Sequence, residues 1–201
     1  MTARRLLTAT SVALVLAACA IGKPIPQATT YGIEPPPPAL ALTRGQETLR
    51  MGRVRVAPAF AGRSLILRVD SVRYETDFYH AFLAEPADLL GAAMADWLER
   101  AGPFRTVSQP GTRTPASFAL EATVTELYGD FRPGLPPTAV MTVQFALVDL
   151  TGVSLKVLLE QRIGRRVALR EATPEKLVRG YGVALGGILE ELAPKLVGAA
   201  R

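Results

Sequence analysis

One cysteine in 201 residues, Cys19, closes a leader at the amino end and limits how the remainder can be held together. Arg4 and Arg5 precede an almost unbroken apolar run over residues 6–16, and Ala17 and Ala18 follow, which is the layout of a secretory signal peptide comprising residues 1–18. The apolar run, about eleven residues, is too short to cross a bilayer, which takes roughly twenty. A lone thiol excludes an intrachain disulfide framework, and with His80 as the sole imidazole no Cys/His zinc site can be assembled. The fold must therefore rest on an apolar core. Taking residues 1–18 from 201 leaves 183, enough for one domain and short for two. The formal charge of +5 falls to +3 when Arg4 and Arg5 leave with the leader, so nucleic acid is not implied as a partner.

Leu16-Ala17-Ala18-Cys19 resembles the lipobox of bacterial lipoproteins. That resemblance implies a diacylglyceryl thioether on Cys19 and, after cleavage, a fatty-acylated amino terminus carrying chains such as palmitate. This covalent lipid is the only non-protein group expected; no metal or other cofactor is. One acyl chain anchors marginally, whereas two or three hold a protein on a membrane. Ala20 follows the cysteine where Asp does not, similar to the sorting signals that send lipoproteins to the outer membrane, so the expected location is its periplasmic face. Residues 19–42 are rich in proline and include Pro35-Pro36-Pro37-Pro38, which favours an extended polyproline tether. Within it, Tyr31-Gly32-Ile33 is able to pair as a short edge strand.

Residues 43–201 read as the folded domain. Val54 and Val56 alternate with arginines, Leu65, Leu67 and Val69 alternate likewise, and residues 71–76 continue the pattern with Val72 and Tyr74, all at the period of half-buried strands. Leu90, Met94, Trp97, Leu98 and Ala101 recur at helical spacing between Pro86 and Gly102-Pro103. A short strand over residues 104–107 precedes a turn-rich loop. Residues 118–125, 139–147 and 155–159 then predict three strands of an antiparallel meander. Thr173 and Pro174 open a last helix with Leu177, Tyr181, Leu185, Ile188, Leu189, Leu192 and Leu196 on one face. Two helices and six or seven strands predict an α/β layered sandwich, a mostly antiparallel mixed sheet covered by both helices.

Catalytic signatures are missing from the sequence. No Gly-x-Ser-x-Gly elbow accompanies His80, and the glycines at 180, 182, 186 and 187 fall inside the last helix and not between a strand and a helix start, so neither a nucleophile nor a phosphate loop is indicated. The chain reads as a non-enzyme. Those four glycines each cost a helix roughly 1 kcal/mol relative to alanine. They predict close approach by the sheet or by a neighbouring copy, hence a possible homo-oligomer.

In order along the chain, Cys19 in its lipobox, Tyr31-Gly32-Ile33, Leu65-Ile66-Leu67-Arg68-Val69, residues 79–86 (Tyr-His-Ala-Phe-Leu-Ala-Glu-Pro) and residues 122–127 (Ala-Thr-Val-Thr-Glu-Leu) resemble the ABC-type transport auxiliary lipoproteins, the family of the paraquat-inducible lipoprotein component. Family members often carry Trp before Ala-Glu-Pro, where this chain has Leu83. The resemblance implies partners in an inner-membrane ABC permease and ATPase and a periplasmic protein of the mammalian-cell-entry type. Lipids or other apolar compounds would be the cargo, with this chain as a docking component at the outer membrane. The alternative is an outer-membrane assembly lipoprotein of the lipopolysaccharide-insertion type, serving a β-barrel.

Tyr74, Phe78, Tyr79 and Phe82 place four of thirteen aromatic residues within nine positions, which suits either core packing or a docking or lipid-facing patch that includes Leu83. Phe131 and Leu135 sit in a proline-rich loop that cannot be a central strand, and are candidates for partner contact. Arg162, Arg165, Arg166 and Arg170 form a basic group between the last strand and the last helix, open to phosphate head groups or to solvent.

Overall fold

Alternation of apolar and polar residues over 118–125 and 139–147 marks the two strands at the centre of the sheet. In the computed structural model, which describes residues 28–39 and 42–200, β7 (Phe118–Asp130), β8 (Thr138–Asp149) and β9 (Lys156–Ala168) form a long antiparallel meander. The other side of β7 is bordered end to end by three short parallel strands. These are β2 (Thr48–Met51) at its start, β3 (Arg55–Val56) in its middle and β4 (Ser64–Arg68) at its end. Beyond β4 lies the antiparallel β5 (Tyr74–Phe82), beyond β5 the parallel β1 (Thr29–Tyr31), and β6 (Thr106–Ser108) pairs with β2. The sheet is mixed. Antiparallel ladders hold most paired residues, while the pairings of the short strands are parallel except between β4 and β5.

The nine strands among the described residues exceed the six or seven expected. Thr48-Leu49-Arg50-Met51 does alternate, with Leu49 and Met51 buried, but over four residues the signal is faint. The strand expected over residues 71–76 begins at Tyr74 and runs to Phe82, because residues 69–73 make the turn closed by the Val69 amide donating to the Arg73 carbonyl at 3.1 Å. The strand expected to stop at 159 continues to Ala168, since charged residues on both its faces hide an edge strand from a hydrophobicity pattern.

Helix α1 (Pro86–Ala101) starts on a proline at its first position and ends at Gly102, whose φ of 79° supplies the left-handed cap. Helix α2 (Pro174–Ala199) is capped by the Thr173 hydroxyl, which accepts from the Lys176 amide at 3.4 Å. Their apolar faces and the buried residues of β7 and β8 make one core, with Leu90, Met94, Trp97, Leu98, Leu177, Tyr181, Leu185, Leu189 and Leu192 almost fully enclosed. No helix among the described residues is long and apolar enough to cross a membrane.

The glycines of α2 admit a strap from the amino-terminal segment. A Cβ on Gly182 would overlap the Glu34 carbonyl oxygen, and one on Gly186 would lie 2.9 Å from Pro36 Cδ. Gly180 instead lets the helix approach the sheet, its place for a Cβ being 2.7 Å from Ala139 Cβ. Ile33 is buried, the Trp97 indole N–H donates to the Pro36 carbonyl at 2.9 Å, and the Ala39 amide donates to Glu190 Oε1 at 3.2 Å. Of the segment read as a tether, residues 29–39 thus lie against the body. Prolines fix an extended backbone, and here that backbone is laid across two helices. Cys19, the leader and residues 20–27 lie outside the described residues.

Candidate docking surface

The most unusual piece of local structure is in β5. Between Ser64↔Ala81 and Ile66↔Thr76, two steps along β4 are matched by five along β5, so the intervening residues 77–80 bulge from the ladder. Asp77 holds the bulge in shape. Its Oδ1 accepts from the amides of Tyr79 (2.8 Å) and His80 (3.0 Å), and both its oxygens lie 2.9 Å from His80 Nδ1. Aspartate is suited to this turn because its short carboxylate reaches backbone amides two and three residues on. The carboxylate is largely enclosed, and the side chains at the tip are apolar: Phe78 is 90% exposed and Tyr79 half exposed. His80, the only imidazole, faces a carboxylate of its own turn, and among the described residues no hydroxyl or thiol is hydrogen-bonded to its ring.

Tyr74, at the start of β5, is committed elsewhere. Its ring meets Tyr128 edge-on at 5.5 Å and Phe60 at 6.5 Å, with the Arg68 guanidinium 5.7 Å from its centroid. Beside this cluster Asp130 is buried, 1% exposed, and clamped by two arginines. Arg132 Nε and Nη2 donate to its two oxygens at 2.7 and 2.8 Å, and Arg166 Nη2 donates to Oδ2 at 2.7 Å. The hydrogen bonds from Arg132, then the one from Arg166, hold the carboxyl down to about 2 against the opposing effect of burial. This clamp ties the loop after β7 to β9.

The expected contact residues therefore divide. Phe78, Tyr79 and Leu83 are exposed, and Leu135 is half exposed in its loop. Phe82 is a correction: at 2% exposure it packs on Tyr181, ring centroids 6.1 Å apart, and belongs to the core because the bulge resets the strand before it, so that Phe82 faces inward while Phe78 faces out. Phe131 is also drawn in, partly buried against the core, with its amide donating to the Arg68 carbonyl at 2.8 Å. The basic group is split by the same alternation. Arg165 faces α2 and pairs with Glu191 at 2.7 Å, Arg166 joins Asp130 on the opposite side, and neither lies between strand and helix as expected. Asp77 and Asp130 were not singled out from the sequence. For Asp77 the signal was present, an aspartate directly ahead of two aromatics in a strand; the arginines of Asp130 come from a loop and a distant strand.

The face of the sheet away from the helices carries a shallow polar groove lined by Arg55, Glu121, Thr123, Gln144, Glu160 and Arg162. Its charges are of both signs, and Arg55 and Glu121 form an exposed pair at 3.4 Å. Among the described residues no group of three or more His, Cys, Asp or Glu side chains is placed to hold a metal ion.

A protein-family model described as the ABC-type transport auxiliary lipoprotein component matches residues 31–193. The fold is similar to that of a Xanthomonas campestris protein of the DUF330 family, with 14% identity, a TM-score of 0.75, and coverage of 86% of this chain and 97% of that one. It is also similar to an uncharacterized protein of known crystal structure, with 14% identity, a TM-score of 0.60, and coverage of 84% and 100%. No curated protein matches the chain significantly.

Proposed function

Because the chain belongs to the ABC-type transport auxiliary lipoprotein component family, we propose that it is the outer-membrane end of an intermembrane transport route. It is fixed by lipid on Cys19 to the periplasmic face of that membrane and docks with a periplasmic protein of the mammalian-cell-entry type, whose ABC permease and ATPase lie in the inner membrane. The cargo is lipid or another apolar compound. The chain contributes a dock and performs no chemistry of its own, the energy coming from the partner ATPase. One observation carries this reading: a lipobox, Leu16-Ala17-Ala18-Cys19, stands on the same chain as a body matched by the transport family from Tyr31 onward.

Affinity purification of the full-length chain from gently solubilised envelopes tests the partnership. Recovery of a mammalian-cell-entry-type protein together with its permease and ATPase is expected. Recovery of an outer-membrane β-barrel instead, without those components, would replace the transport reading with the assembly reading.

A further inference from the structure

The fold places the incoming chain and the exposed aromatics at one end of the molecule. β1 is parallel to β5, with Thr29 opposite His80 and Tyr31 opposite Phe82, so whatever precedes Thr29 approaches from the side of the residue 77–80 bulge. Nine residues lie between Cys19 and Thr29, ten steps that span at most about 35 Å even when fully extended. Two residues beyond Ile66, where the bulge ends, the sheet finishes at Arg68 with the β4–β5 turn, where Val72 is exposed, and the loop after β7, with Leu135, since Arg68 pairs with both Tyr74 and Asp130. Val153 and Leu155, also exposed, lie at the opposite end, in the turn that follows the Phe118↔Asp149 pair.

Resting on the reading that Cys19 is acylated, we propose that Phe78 and Tyr79 enter the bilayer that holds the anchor. The body is thereby oriented, with its β4–β5 turn toward the membrane and its β8–β9 turn toward the periplasm. Four features of the bulge favour lipid as the occupant. Its tip is a phenylalanine with almost no protein contact. The neighbouring tyrosine is of the type enriched where hydrocarbon meets head groups. Its one acidic group, Asp77, is turned onto backbone amides and His80, away from the surface that lipid would meet. A tether this short keeps the bulge within reach of the leaflet at all times, so a weak contact becomes an intramolecular one of high effective concentration.

The test exploits the lone cysteine. Once Cys19 is consumed as a thioether, Phe78→Cys and Val153→Cys each introduce a unique thiol for an environment-sensitive dye, at positions too exposed to disturb folding. The acylated full-length variants are reconstituted in mixed phosphatidylethanolamine and phosphatidylglycerol vesicles, with and without spin-labelled lipid, and acylation is confirmed by intact mass. The dye at position 78 is expected to shift to shorter wavelength and to lose most of its emission to spin-labelled lipid, while the dye at 153 keeps its aqueous spectrum. An aqueous spectrum at 78 on acylated, vesicle-bound protein overturns the orientation and leaves the anchor intact. A shift at 78 without quenching by lipid assigns the bulge to a protein contact and overturns it equally. An unmodified Cys19 overturns the anchor, and the orientation with it.

Discussion

Trp97→Ala is expected to remove about 3–5 kcal/mol of stability, the range for deleting a buried aromatic from a packed core. For a domain of this size that lowers the melting temperature by about 10 °C. The residue has two roles. Its ring fills the space between α1, α2 and Leu42, and its indole N–H is the hydrogen-bond donor to the Pro36 carbonyl that fastens the strap over α2. Trp97→Phe separates them, keeping most of the apolar surface while leaving that carbonyl without its donor, a loss of about 1 kcal/mol. Thermal unfolding followed by circular dichroism reads both, and limited proteolysis after residues 34–39 reports release of the strap. A melting temperature unchanged in Trp97→Ala would contradict the packing described for α1.

The second large effect belongs to Asp130. Its carboxyl titrates lower in the folded protein than in the unfolded chain, so the folded state binds fewer protons and stability rises with pH through that window. The contribution is complete above about pH 4, and is lost as pH falls toward 2. The displacement from 3.8 to about 2 corresponds to roughly 2 kcal/mol. Asp130→Asn, which leaves Arg132 and Arg166 facing a neutral amide, is expected to cost about 3 kcal/mol near neutral pH. The gap between the two proteins in denaturant unfolding should narrow steadily below pH 4 and be smaller by roughly 2 kcal/mol at pH 2. A gap independent of pH would show that the arginine clamp is not what holds the carboxyl down.

Elements with a strong period were legible from residues alone. The two helices were marked by Pro86, Gly102, Thr173 and Pro174 as well as by their apolar faces, and these are local signals that tertiary contacts did not override. The meander was legible for the same reason through β8 and the start of β9, but not over residues 160–168, where charges fall on both faces. Of the short strands, β3 and β6 are signalled at Val54/Val56 and residues 104–107, whereas β2 is not, because four residues carry little periodicity; the pairing of all three with β7 or with each other is decided by the whole fold. Phe82 illustrates the limit for the surface. It lies four residues from Phe78, yet one is buried against Tyr181 and the other projects into solvent, and the difference arises from a bulge whose extra residues no composition count reveals. The glycines of α2 signal close approach, which the sheet meets at Gly180, but that an extended proline segment of the same chain fills Gly182 and Gly186 depends on a contact far apart in sequence.

Acylation of Cys19, as proposed, would decide both where the protein resides and which end of its sheet faces lipid. Intact-mass measurement of the mature chain purified from envelopes addresses this directly. A mass beginning at Cys19 and increased by a diacylglyceryl group and an amide-linked acyl chain is expected. A chain that retains residues 1–18, or that begins elsewhere with an unmodified thiol, would contradict it.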